Sequence, residues 1–107
     1  MKNIEEGKIY KTKMFNEECY CVPVFISEEK PQLDMFIFKT EEETTEDIIV
    51  FIENDALIRS VYHLEHQFKK DIDIEEFEKN ILDDLGNISK DAFDKLHNHW
   101  WTIVRPY

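Results

Sequence analysis

Residues 8–38, KIYKTKMFNEECYCVPVFISEEKPQLDMFIF, decide the fold class. Three runs rich in branched and aromatic residues, 8–14 with Ile9 as its clearest apolar member, 19–26 and 33–38, alternate with polar clusters. Side chains of that kind fit a pleated, half-buried surface, so each run reads as a short strand. Asn16, Glu17 and Glu18 make the first connection, and residues 27–32 make the second.

Working outward, residues 47–52 (DIIVFI) form a fourth apolar run behind a polar stretch, 41–46, and are expected to be a strand after a loop. Residues 56–68 fit two patterns. Leu57, Val61, Leu64 and Phe68 have helical spacing, while Ile58, Tyr62 and Leu64 with their branched neighbours fit a strand; the reading leans to strand. Beyond them, Asp73 as N-cap with Glu76 three residues on makes a capping box. Ile74, Phe77, Ile81 and Leu85 then share one helical face up to Gly86, which predicts a helix across that span. Ser89 caps a second helix with Phe93, Leu96 and Trp100 on its buried stripe, and residues 101–105 are expected to be extended ahead of Pro106.

Strands first and helices last is an α+β order. The expected architecture is one domain over residues 1–107, a small β-barrel of five or six mostly antiparallel short strands with two amphipathic helices near the C-terminus. Closing a small sheet removes its exposed edges. With 42% hydrophobic residues and fourteen aromatics the chain has enough apolar surface for a core, and with two glycines and three prolines it has no linker-like stretch.

The net charge of −11 is uneven: residues 1–40 carry seven acids against six bases, and residues 41–107 carry seventeen against seven. Such a surface repels polyphosphate and attracts basic partners, over a range of about 8 Å at physiological salt. No apolar run reaches the roughly 20 residues of a membrane span, and no signal-like segment opens the sequence, so a cytoplasmic location is expected. Cys19 and Cys21 are too close in sequence to staple distant parts of a fold, which fits a reducing compartment.

Cys19-x-Cys21 with His97-x-His99 supplies four groups of the kind zinc prefers, but not at the spacing of zinc knuckles; buried or half-buried thiols are expected instead, with no metal and no cofactor. His97-Asn98-His99 lacks the metal-binding context of the nuclease motif with the same letters, and His63 and His66 lack the surrounding acids of a metalloprotease helix. No glycine-rich loop and no nucleophile elbow is present, which removes phosphate-cradling and serine-hydrolase classes. Paired acids such as Glu75-Glu76 and Asp83-Asp84 read as a solvated helix face.

Read in order, several pieces resemble the PemK/MazF family of toxin components from bacterial toxin–antitoxin modules. Gly7-Lys8-Ile9-Tyr10 is similar to the family's opening Gly-Asp-Ile-Val strand, and Val22-Pro23-Val24-Phe25-Ile26-Ser27 to its Arg-Pro-Ala-Leu-Val-Ile-Ser strand. Phe36-Ile37-Phe38-Lys39-Thr40 falls where the family has a strand ending in Pro-Ile-Thr. Leu85-Gly86-Asn87-Ile88-Ser89 resembles the Ile-Gly-x-Leu-Ser turn that begins the last helix. The resemblance spans most of residues 7–97. It implies an SH3-like barrel, a homodimer, an antitoxin or other protein partner, and metal-independent cleavage of single-stranded RNA. In the family an arginine before the second-strand proline and a threonine after the third strand do the chemistry. Thr40 matches the threonine, whereas Val22 stands where the arginine belongs; Lys39 or Arg59 would have to supply the charge.

Two roles without catalysis also follow from the residues. One is an acidic inhibitor whose carboxylates, notably Asp71, Asp73, Glu75, Glu76, Glu78, Asp83 and Asp84, imitate the phosphates of a nucleic acid. The other is a silent protein-binding module with Trp100, Trp101 and Tyr107 as candidate anchors, since aromatics dominate interface hot spots. The alternative reading of the two indoles is that they close the core.

Overall fold

The computed structural model describes residues 4–14, 16–39, 44–55 and 65–104. β1 (Lys8–Met14), β2 (Glu17–Ser27) and β3 (Gln32–Lys39) form an antiparallel meander. The connection between β1 and β2 includes Asn16, at φ +63°, a left-handed conformation that asparagine tolerates. Glu17 and Glu18 therefore belong to β2, opposite Met14 and Lys13, rather than to a connection.

The apolar run 47–52 is not a strand. It lies inside α1 (Thr45–Asp55), whose first turn is closed by a reciprocal box: Asp47 N donates to Thr44 Oγ1 at 3.2 Å, and Thr44 N and Oγ1 donate to Asp47 Oδ2 at 3.3 and 2.9 Å. Ile48 and Ile52, one turn apart, are buried. Of the ambiguous segment, residues 56–64 lie outside the described residues. Its end belongs to β4 (Glu65–Asp73), which pairs antiparallel with β3.

Asp73 caps α2 (Ile74–Lys79), accepting from Glu75 N and Glu76 N at 2.8 and 3.3 Å. The helix stops there instead of continuing to Leu85. Residues Ile81–Asn87 form β5, because β1 offers them an unpaired edge: Thr12 faces Ile81, Lys11 faces Asp83 and Tyr10 faces Asp84. Pairing to a distant strand outweighs a local periodicity that Ile81 and Leu85 satisfied equally well. Gly86, at φ +92°, thus bends a strand end rather than ending a helix. α3 (Lys90–Val104) starts as expected, with Ser89 Oγ accepting from Ala92 N at 3.1 Å. It runs through residues 101–104, which are helical rather than extended, because Trp100 and Val104 repeat the buried stripe one turn apart.

Among the described residues, five antiparallel strands make one sheet in the order β4-β3-β2-β1-β5 and there are three helices, so the fold is α+β. Among the described residues β4 and β5 stay at opposite edges, and the sheet is open. Alternation splits the core in two. On one face Ile9, Tyr20, Val22, Val24, Phe36 and Phe38 pack under α1 and α3, the latter through Ala92, Leu96 and Trp100. On the other, Tyr10, Cys19, Cys21, Leu33, Met35 and Ile37 pack against Phe77 of α2.

Two irregularities place one polar group inside. β2 slips between Pro23 and Phe25, which brings Phe25 into a stack with Trp100 at 4.9 Å, and β4 slips opposite Leu33 and Met35. The second slip puts Asp71 at φ +59°, and its N–H donates to Asp34 Oδ1 at 2.9 Å. The other oxygen of this buried carboxylate accepts from Trp100 Nε1 at 2.7 Å.

Candidate functional site

The residues expected to cleave RNA are not brought together within the described part of the molecule. Thr40 and Arg59 lie outside it. Lys39 ends β3 with its ammonium 3.1 Å from the Glu17 carboxylate. Val22 is fully buried on the face covered by α1 and α3, so the position that the family gives to arginine points into the core.

The four candidate zinc ligands are also separated. Cys19 and Cys21 lie on the α2 face of the sheet, whereas His97 packs against Phe93 and Trp100, at 5.6 and 5.1 Å, and His99 against Phe36 at 5.6 Å, all on the opposite face. Among the described residues, no three His, Cys, Asp or Glu side chains are placed to hold a metal. His63 lies outside the described residues, as does Tyr107. Both thiols are free and buried, 4.0 Å apart, and each lies 3.3 Å from Thr12 Oγ1. The Cys21 thiol and the Thr12 hydroxyl stabilise a thiolate at Cys19 and pull its pKa down, while the same pairing and burial push Cys21 up.

Several of the acids are committed to local structure. Asp73 is a helix cap, and Asp84 accepts from Gly86 N at 2.9 Å and from Lys8 Nζ at 3.0 Å, contacts that hold its carboxyl below the usual range. Lys8, bonded to Glu5 as well as Asp84, is correspondingly raised. Trp100 is a core residue tied to Asp34; Trp101, at 51% exposure, remains available for contact.

Other acids converge on an open groove of about 700 Å³ between the β2–β3 turn and α2. Its floor is apolar, made by Ile26, Pro31 and Ile74, and Glu28, Glu75 and Glu78 stand around it with Lys79. The turn and the helix are fixed to each other, since Ile74 N donates to Pro31 O at 2.9 Å. Glu75 and Glu78 were visible in sequence as part of an acid run. Nothing local joined them to Ile26 and Glu28, which arrive through the pairing of β2, β3 and β4. An apolar floor with a carboxylate rim suits a ligand with an apolar anchor and flanking cations.

No protein-family model, curated protein or solved structure matches this chain.

Proposed function

We propose that the chain is an acidic protein-binding module whose α2 groove takes a cationic segment of a partner protein, seating an apolar side chain on Ile26, Pro31 and Ile74. The observation that carries this reading is the placement of Glu28, Glu75 and Glu78 around one apolar floor. The overall charge of −11 adds long-range attraction for a basic partner, and the rim carboxylates add selectivity. The test is fluorescence anisotropy with a labelled twelve-residue peptide of alternating Leu and Lys, against the same peptide with Glu for Lys. Saturable binding of the first alone, weakened at least tenfold by the Glu75→Lys, Glu78→Lys pair, supports the groove. Equal binding by that variant removes the groove from the function.

A second reading keeps the PemK/MazF relationship: a diverged, metal-independent endoribonuclease for single-stranded RNA, built as a closed SH3-like barrel and acting as a homodimer. It is supported by where the family-like pieces fall, with Gly7 leading into β1, Pro23 within β2, Lys39 ending β3 and Ser89 capping α3. Val22 in the core weighs against it, because the charge that stabilises the transition state would have to come from elsewhere. Long single-stranded RNA incubated without metal, with Thr40→Ala as control, separates the readings. Discrete cuts lost in the variant establish the nuclease; intact RNA leaves the binding module.

A further inference from the structure

The floor of the α2 groove is held from outside the groove. Residues 4–7 lead into β1 as a strap, and each of its contacts joins it to another part of the fold. Gly7 N donates to Pro23 O at 2.9 Å, and Gly7 O accepts from Ile88 N at 2.8 Å. Glu5 N donates to Tyr10 Oη at 3.0 Å, and the Tyr10 ring stands edge-on to Phe77 of α2, with centroids 5.8 Å apart. Ile4 packs in the same apolar cluster as Ile26 and Ile74, two of the three floor residues. The Glu6 carboxylate touches the floor strand directly, accepting from Ile26 N at 2.9 Å.

We infer, on the reading that the groove is the binding surface, that Glu6 is its positioning residue: through Ile26 N it holds the β2–β3 turn against α2, so that the apolar floor is formed before a partner arrives. The pairing of β1 with β2 runs from Met14 and Glu17 to Tyr10 and Cys21, and Gly7 extends it by one bond to Pro23. Ile26 lies beyond that reach, and the Glu6 carboxylate stands in for the missing strand. A carboxylate accepting from a backbone N–H makes a stronger bond than an amide carbonyl does. The effect passes to the rest of the floor through two further bonds. Ile26 pairs with Leu33 of β3, and the turn between them carries Pro31, whose carbonyl accepts from Ile74 N at 2.9 Å. A floor fixed in advance lowers the ordering cost that a partner meets on binding. Glu6 is itself exposed, so its charge is screened; its role here is that of an acceptor, distinct from the rim carboxylates Glu28, Glu75 and Glu78.

The test compares Glu6→Ala, which removes both charge and acceptor, with Glu6→Gln, which removes the charge and keeps a carbonyl acceptor. With the labelled Leu–Lys peptide, Glu6→Ala should bind about fivefold more weakly than wild type and Glu6→Gln within about twofold of it. Amide hydrogen exchange gives a readout that needs no ligand. In Glu6→Ala the Ile26 and Ile74 amides should exchange about tenfold faster, while Cys21, paired with both Tyr10 and Ile37, keeps its wild-type rate. Equal weakening of peptide binding by the two variants would make Glu6 a rim charge and overturn the positioning role. Unchanged exchange at Ile74 in Glu6→Ala overturns it too, as does a Cys21 amide accelerated as much as Ile74, which would mark a general loss of stability. Absence of peptide binding by the wild type removes the groove from the function, and the exchange rates alone then decide whether Glu6 holds the turn to α2.

Discussion

Trp100 Nε1 donates to Asp34 Oδ2 at 2.7 Å, so one hydrogen bond ties α3 to β3 across 66 positions of chain. Asp34 is 5% exposed, and its other oxygen is held by Asp71 N. Both partners depend on local irregularity or helix placement, which makes the carboxylate a junction between β3, the β4 slip and α3. Trp100→Phe preserves the stack on Phe25 but removes the indole donor. It should cost about 1.5–3 kcal/mol in urea unfolding, the range for a hydrogen bond to a carboxylate. Asp34→Ala, which strands two donors, should cost more than Trp100→Phe. A loss below about 0.5 kcal/mol in either would show that the junction contributes nothing to stability.

Asp84 and Lys8 set a pH dependence with a definite sign. The folded-state carboxyl of Asp84 is depressed by Gly86 N–H and Lys8, so its contribution is present above the unfolded value near pH ~3.9 and is lost as pH falls through the folded value. Lys8 is raised by Glu5 and Asp84, so its contribution is present below about pH 10.4 and is lost only as pH rises beyond that. Between those limits this pair adds no slope. Asp84→Asn should therefore flatten the acid limb of a stability–pH curve, with the difference shrinking in 1 M salt because the pair is exposed. Identical acid limbs for wild type and variant would remove Asp84 from the account.

The two glycines separate backbone strain from crowding. Both have positive φ, +82° at Gly7 and +92° at Gly86, so alanine at either position meets the left-handed penalty of about 1–2 kcal/mol. A Cβ at Gly7 would also stand 3.1 Å from Phe93 Cδ1, whereas one at Gly86 meets no atom within 4 Å. Gly7→Ala should lower Tm more than Gly86→Ala, and trimming the ring with Phe93→Leu should narrow the gap. A larger loss at Gly86 would contradict the packing of Gly7 beneath α3.

The first half of the sheet was legible because its runs are separated by strong turn chemistry and their alternation is local: residues 8–14 are β1, and Cys19, Cys21, Leu33, Met35 and Ile37 line one face as period two requires. The starts of α2 and α3 were legible for the same reason, since Asp73 and Ser89 act within three residues of themselves. Residues 81–87 were misread because Ile81 and Leu85 satisfy helical spacing from Ile74 and Phe77, and what decides their state is the edge of β1, about seventy positions away. The candidate groove was half legible. Its acids stand out in the sequence, but its floor pairs Ile26 with Ile74, which only the folded sheet brings together.

The most local misreading, residues 47–52, carries its own test. IIVFI is short enough to suit a strand or a buried helical turn, and the deciding signal is upstream in Thr44-x-x-Asp47. If that box selects the helix, Thr44→Ala should cost about 1 kcal/mol, and Thr44→Ser should cost less because serine retains the accepting oxygen. The loss should be concentrated at the start of α1: the Ile48 amide, which donates to Thr44 O at 3.1 Å, should exchange faster with solvent. The far end of α1 has a separate tie, Glu53 Oε1 accepting from Ser89 N at 2.7 Å, which should hold the last turn in place. Uniform loss of protection along α1 in Thr44→Ala would mean that the helix opens as one unit and that packing of Ile48 and Ile52, rather than the cap, governs its stability.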